Sequence, residues 1–182
     1  TNSWFSISTA KLTLDQEYAD ANDTGRSNSI WSLAPATSGI FIPLVAYQQS
    51  SGSTGYHYGG YQNQGGVGDG GNTIWLANSY WSDFNGEDER SWQASYGLDF
   101  AGLGLPGLTW TTAYVRGDNI KTSETSNSKE HEWFNQVQYQ VQNGVAKDLK
   151  FRLRYSVLRV SSNASDYNVS GNEVRFYVEI SV

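Results

Sequence analysis

The chain has 182 residues, of which 14% are aromatic and 19 are glycine, and it contains no cysteine. Its formal net charge of −6 argues against a nucleic-acid-binding protein, which would normally be basic. The longest strongly apolar stretch, residues 39–47, is far shorter than the roughly 20 residues of a membrane-spanning helix. The first ten residues lack the basic start and apolar core of a signal peptide, and methionine is absent, so we expect a mature or excised piece.

The N-terminal part of the sequence predicts four short strands. They are expected at residues 3–7, 12–18, 29–34 and 40–48, with short turns at 9–11 and 35–39. Pro43 fits poorly within the fourth strand, because proline cannot donate to a strand ladder.

A long polar connection is predicted over residues 49–90. It includes residues 72–84, which could form a further strand. Placing them in the loop puts every short turn at one end of the strands and every long connection at the other, so we favour that assignment.

The C-terminal half has the clearest pattern. Apolar and polar residues alternate with a period of two over residues 92–100, 133–142, 149–159 and 173–182, as in β-strands. The pattern allows a soluble sandwich, with apolar residues inside, or a membrane barrel, with apolar residues facing lipid. Taken alone, it favours the soluble fold.

Connection lengths and aromatic positions favour the barrel. Short links at residues 101–107 and 143–148 alternate with long ones at 49–90, 117–130 and 160–172, as in outer-membrane barrels. Aromatic residues also gather near strand ends, as interfacial girdles require; they are Trp92, Phe100, Trp110, Tyr114, Trp133 and Phe151. About nine strands are predicted, counting one between the connections at residues 101–107 and 117–130. Because bacterial single-chain barrels have an even number, the barrel is expected to be incomplete.

Three segments resemble the OprD family of outer-membrane porins. They are residues 86–120 (GEDERSWQASYGLDFAGLGLPGLTWTTAYVRGDNI), 143–154 (NGVAKDLKFRLR) and 78–84 (NSYWSDF). The resemblance implies an all-β, antiparallel transmembrane β-barrel of about eighteen strands. Residues 1–182 would then be one incomplete barrel domain, the C-terminal half, and residues 49–90 a long extracellular loop folding toward the pore.

The resemblance further implies passive, substrate-selective diffusion of small carboxylate-bearing solutes, such as amino acids and aromatic acids. It places family ladder arginines at Arg152, Arg154 and Arg175, on the polar faces of two strands. Guanidinium groups match carboxylates, and several weak sites let an anion pass without being trapped. The family often has basic residues where Ala113 and Gln138 stand, so this ladder is expected to be thinner.

The family's pore constriction carries polar and acidic loop residues opposite the ladder. By motif position, Ser79, Trp81 and Asp83 match them, and an acid there would bind the ammonium group of an amino acid. A loop that only packs over the barrel mouth explains these residues equally well. Arg116 and Arg159 lie near loop ends, where solvated rim charges are favoured over solute steering.

Other functions find less support. The alternative is a soluble β-sandwich that binds carbohydrate through its Trp and Tyr residues. No catalytic, cofactor or metal motif is present, so no enzyme is expected. The expected partners are carboxylate solutes, outer-membrane lipid and lipopolysaccharide, but not nucleic acid. The protein is expected in the Gram-negative outer membrane as a monomer or weak homotrimer.

Overall fold

The computed structural model describes residues 6–16, 26–36, 41–52, 80–165 and 167–180. They form one antiparallel sheet of eight strands, each paired with its neighbours in sequence. The strands are β1 (Ser6–Gln16), β2 (Arg26–Ala36), β3 (Phe41–Gly52), β4 (Arg90–Asp99), β5 (Leu108–Ile120), β6 (Ser128–Gln140), β7 (Lys150–Val160) and β8 (Gly171–Glu179). Within these ranges, no helix has the length and hydropathy needed to cross a membrane.

The predicted all-β antiparallel fold is confirmed, but the turn predicted at residues 9–11 is wrong. Strand β1 runs through these residues, which pair with Leu33, Ser32 and Trp31 of β2. The segment Thr9–Ala10–Lys11 contains none of the residues that favour turns, such as glycine, proline or asparagine. Two predicted strands therefore merge, and the described part of the chain has eight strands where nine were expected.

Two proline residues lie within the strands, Pro35 in β2 and Pro43 in β3. Strand β2 includes Pro35 and ends at Ala36, so the turn predicted from residue 35 begins too early. Pro43 lies opposite Tyr96 of β4, whereas the pairing of β2 with β3 ends at Val45. Pro43 is thus outside the β2 ladder, where a missing N–H group is not needed.

The connection between β5 and β6 is shorter than predicted. The long loop expected at residues 117–130 shrinks to residues 121–127, because β5 continues to Ile120 and β6 starts at Ser128. The register shifts between Gly117 and Ile120, which marks a β-bulge. The contrast between short and long connections is therefore weaker than the sequence suggested.

The two faces of the sheet have opposite character. On the polar face, side chains such as Gln48, Gln93 and Glu132 are buried. On the apolar face, large hydrophobic side chains are exposed; they include Val45, Trp92, Trp133, Val137, Leu153, Val174, Phe176 and Val178. A soluble sandwich would bury the apolar face against a second sheet, whereas a membrane barrel turns it to lipid. This arrangement matches the barrel and not the soluble alternative.

Candidate functional site on the polar face

The three predicted arginines lie together on the polar face. Arg152 and Arg154 alternate along β7, with Lys150 before them at the end next to the β6–β7 turn. Arg175 on β8 is the direct cross-strand partner of Arg154. Four cationic side chains therefore share one side of two adjacent strands, and we call them the basic ladder.

Acidic residues of β8 accompany the basic ladder. Arg152 forms an ion pair with Glu179, and Arg175 Nε lies 2.7 Å from Glu173. Arg154 has a neutral partner instead, since its Nε donates to Gln136 Oε1 over 2.8 Å. The positive charge of the ladder is thus partly neutralised. In these contacts, the partner of Arg154 is uncharged.

Aromatic rings line the same part of the face. The guanidinium carbon of Arg154 lies 5.4 Å from the centre of the Tyr177 ring and 5.7 Å from that of Phe134. Arg152 lies 5.0 Å from the Tyr177 ring centre. Both guanidinium groups therefore lie within cation–π distance of these rings.

The two positions expected to thin the ladder do lie on this face. Gln138 is the cross-strand partner of Arg152. Ala113 is buried, with Ser95 and Phe134 as its partners on either side. At these two positions, neutral residues continue the ladder's face onto β6 and β5.

Residues 80–89, which we call the inward segment, lie against the polar face. Tyr80 stacks on Phe134 of β6, with ring centres 4.2 Å apart. At the far side, Gln48 Nε2 of β3 donates to the carbonyl oxygens of Asp83 and Phe84, over 3.1 and 2.8 Å. Because Trp81 lies beside Gly171 of β8, the inward segment extends across the face from β8 to β3.

Two buried carboxylates of β6 anchor the inward segment. Glu132 accepts hydrogen bonds from the backbone N–H groups of Trp81 and Ser82, at 3.1 and 2.9 Å. It also accepts one from the Ser156 hydroxyl, at 2.7 Å. Glu130 accepts one from the Ser82 hydroxyl, at 2.9 Å. Hydrogen bonds to charged acceptors are stronger than neutral ones, so these contacts fix the segment to the wall.

A third carboxyl, Glu89, completes the anchor. The Tyr167 hydroxyl, from the β7–β8 connection, lies 3.2 Å from Glu89 and 3.1 Å from Glu130. A hydroxyl has one hydrogen and can donate to only one of them, so the second contact requires a proton on a carboxyl. Burial, aided by the charge of Glu130, raises the pKa of Glu89 well above its usual 4.5.

The β7–β8 connection also holds the inward segment directly. Asn168 Nδ2 donates to Ser82 Oγ over 3.1 Å and to Glu130 over 3.0 Å. The backbone N–H of Asn85 donates to the Tyr167 hydroxyl over 3.3 Å. Two separate connections of the chain therefore meet on the carboxylates of β6.

The predicted constriction residues have different positions. Ser79 lies outside the described residues. Trp81 is half-buried beside Gly171, where an added Cβ would come within 2.6 Å of the indole ring. Asp83 is half-buried, and its backbone carbonyl contacts Gln48. The proposed pairing of an acid with the ammonium group of a solute stays a prediction.

Tyr80 is a candidate that the sequence analysis missed. Gln93 Nε2 donates to its hydroxyl over 2.9 Å, and burial raises its pKa to about 12, so it stays neutral. Tyr80 contacts the same Phe134 ring that Arg154 covers. It therefore brings the inward segment next to the basic ladder.

The anchoring carboxylates were missed because the predicted strand began at Trp133. Extending the period-two pattern backward would have put Glu132, Glu130 and Ser128 in phase with Gln136. No local pattern points to Tyr167 or Asn168. In the described ranges, no group of three or more His, Cys, Asp or Glu residues could hold a metal ion.

Comparisons with known proteins identify similar outer-membrane porins. A protein-family model described as an outer membrane porin of the OprD family matches residues 2–182. Porin D of Pseudomonas aeruginosa is 39% identical over 92% of this chain. The chain spans 40% of that relative's length.

Solved structures of similar proteins share the fold of this chain. OccAB1 of Acinetobacter baumannii has a TM-score of 0.73 and 43% identity, covering 86% of this chain and 37% of its own. Pseudomonas aeruginosa OpdK, solved with vanillate, has a TM-score of 0.72 and 25% identity, covering 96% of this chain and 47% of its own.

Proposed function

Because the chain belongs to the OprD family of outer-membrane porins, we propose that it forms part of a channel for passive, selective diffusion of small carboxylate-bearing solutes. Its location in the Gram-negative outer membrane, expected from the resemblance, is confirmed by the family. We propose that the protein acts as a channel and not as an enzyme.

The polar face is proposed to be the pore wall. In a membrane barrel, one face of each strand meets lipid and the other meets the lumen. The exposed hydrophobic face suits lipid, which leaves the face of Arg152, Arg154 and Arg175 for the pore. The clustering of these arginines on one face is the observation that carries the proposal.

The connection predicted at residues 49–90 is shorter in the structure, because β3 continues to Gly52 and β4 starts at Arg90. We propose that the remaining connection, residues 53–89, is an extracellular loop that narrows the pore. Support comes from the inward segment, which contacts β3, β6 and β8 on the polar face. Tyr80 then stands beside Arg154 at the narrowest place, and Ser79, Trp81 and Asp83 surround it in sequence. Residues 1–182 would be one barrel domain within a larger barrel.

Carboxylates attached to an aromatic ring are favoured solutes. Arg154 offers a charge for the carboxylate, while Phe134, Tyr177 and Tyr80 offer rings nearby. The relative OpdK was solved with vanillate, an aromatic carboxylate. Amino acids and other organic acids stay within the proposed class. Outer-membrane lipid and lipopolysaccharide would surround a monomer or weak homotrimer.

The proposal is tested by reversal-potential recordings on the full-length protein in planar bilayers under a benzoate gradient. We expect Arg154→Ala to lower the permeability to benzoate relative to K⁺ by about fivefold, since one nearby charge contributes about 1 kcal/mol in water. Lys147→Ala removes an exposed cation from the β6–β7 turn and serves as the control. Unchanged selectivity in Arg152→Ala/Arg154→Ala would overturn the proposal.

A further inference from the structure

A row of basic residues crosses the apolar face at the loop end of the strands. Trp92 of β4 pairs with Arg116 of β5, Arg116 pairs with His131 of β6, and His131 pairs with Arg159 of β7. Adjacent strands are about 4.8 Å apart, so the three basic residues span about 10 Å. Arg116, His131 and Arg159, which we call the outer basic row, face away from the basic ladder.

The outer basic row is open to ligands. All three side chains are exposed, and neither arginine forms an ion pair within the described part of the chain. Arg159 Nη1 donates to the Gly171 carbonyl and to Asn172 Oδ1, both over 2.9 Å, which fixes its guanidinium along the rim. The acid nearest in sequence on this face, Asp118, has the basic residue Arg90 as its cross-strand partner.

Aromatic residues lie directly below the row. Tyr114, two residues before Arg116, and Trp133, two residues after His131, are cross-strand partners. The Tyr114 ring centre lies 5.6 Å from that of Trp92 and 6.0 Å from that of His131. Such residues mark the boundary between hydrocarbon and headgroups, so the outer basic row lies at headgroup level.

We propose that Arg116, His131 and Arg159 form a binding site for the phosphate groups of lipopolysaccharide in the outer leaflet. This inference rests on the proposed orientation of the porin, with long loops outside. Guanidinium forks match phosphate oxygens, and His131 adds a hydrogen-bond donor. Because these side chains point away from the pore, they are suited to lipid and not to a passing solute.

The test measures lipid binding to the full-length protein by native mass spectrometry in detergent. The probe is bis-phosphorylated lipid A, compared with dephosphorylated lipid A and inorganic phosphate. We expect Arg116→Gln/Arg159→Gln to bind the phosphorylated lipid about thirtyfold more weakly, since each basic residue contributes about fivefold near anionic headgroups. Lys147→Gln, at the opposite end of the sheet, should bind like the unaltered protein.

Equal binding of lipid A by the double variant and the unaltered protein would overturn the inference, as would equally strong binding of dephosphorylated lipid A. Inorganic phosphate that competes at the lipid's own concentration would also overturn it. If the double variant does not fold, Arg116→Gln alone should weaken binding about fivefold. Ion selectivity in phospholipid bilayers tests the proposed channel function without lipopolysaccharide. A failure of the lipid site can therefore be distinguished from a failure of the channel proposal.

Discussion

The backbone nitrogen of Ser82 lies 2.9 Å from a carboxylate oxygen of Glu132, although 50 positions separate the two residues in sequence. This hydrogen bond joins the inward segment to the wall of the sheet. Together with the Trp81 contact, it places two backbone N–H groups on one buried carboxylate. Loss of that carboxylate leaves both groups without their acceptor, which costs about 1–3 kcal/mol each.

Glu132→Ala is expected to release the inward segment and raise the single-channel conductance, because the segment would occupy less of the pore. Single-channel recordings of the full-length protein provide the measurement. Glu124→Ala, in the exposed β5–β6 connection, is the control for the lost charge. If conductance and current noise stayed at the unaltered values in Glu132→Ala, the anchoring role would be refuted.

Raising the pH is expected to loosen the inward segment. Glu89 has a pKa above 4.5 when the segment is docked, so its protonated form favours docking. That contribution is fully present below 4.5 and is lost as the pH rises through the docked-state pKa. Conductance fluctuations should therefore increase as the pH rises above 4.5.

Glu89→Gln supplies the matching variant, since its amide is uncharged at every pH. We expect a weaker pH dependence of the fluctuations, while Glu124→Gln should retain the full dependence. The same pH profile in Glu89→Gln and the unaltered protein would show that another group is responsible.

Gly117→Ala is expected to destabilise the protein by about 1–3 kcal/mol, a typical cost of overpacking. A Cβ at this position would collide with Glu89 Oε1 and lie 3.2 Å from Phe84 Cδ1. Urea unfolding in detergent measures the change. Adding Glu89→Ala removes the colliding atoms, so the double variant should be more stable than the sum of the two single effects predicts.

Tyr80→Ala is expected to widen the constriction and raise conductance, because the ring stacked on Phe134 is lost. Tyr80→Phe keeps the ring and loses only the hydrogen bond from Gln93. Its conductance should stay near that of the unaltered protein. Equal conductance in all three proteins would mean that Tyr80 does not line the narrowest part.

The regular part of the fold was predictable because period-two alternation reports directly on a two-sided sheet. Arg152, Arg154 and Arg175 could be placed on one face from that alternation and the family resemblance. The alternation could not tell which face meets lipid, since both interpretations share the same pattern. The exposed Trp133 and the buried Glu132, adjacent in β6, make that distinction in the structure.

Contacts between distant segments were not predictable. Tyr167 meets Glu89 and Glu130 only after folding, and neither spacing nor composition links them. The turn expected at residues 9–11 was wrong for a local reason, since none of these residues favours a turn and all three pair with β2. The family resemblance is strong over residues 48–182 and weaker before residue 48, whereas the family match covers residues 2–182.

The meeting of Ser82, Glu130 and Asn168 has a consequence for engineering solute preference in such channels. A constriction loop moved into a relative would arrive without its acceptors on β6 and its donor in the β7–β8 connection. Grafts should therefore exchange residues 80–89, 128–134 and 161–170 as one unit. The docking of residues 80–89 depends on three stretches of chain together, so we expect that a single transferred loop would not keep its position.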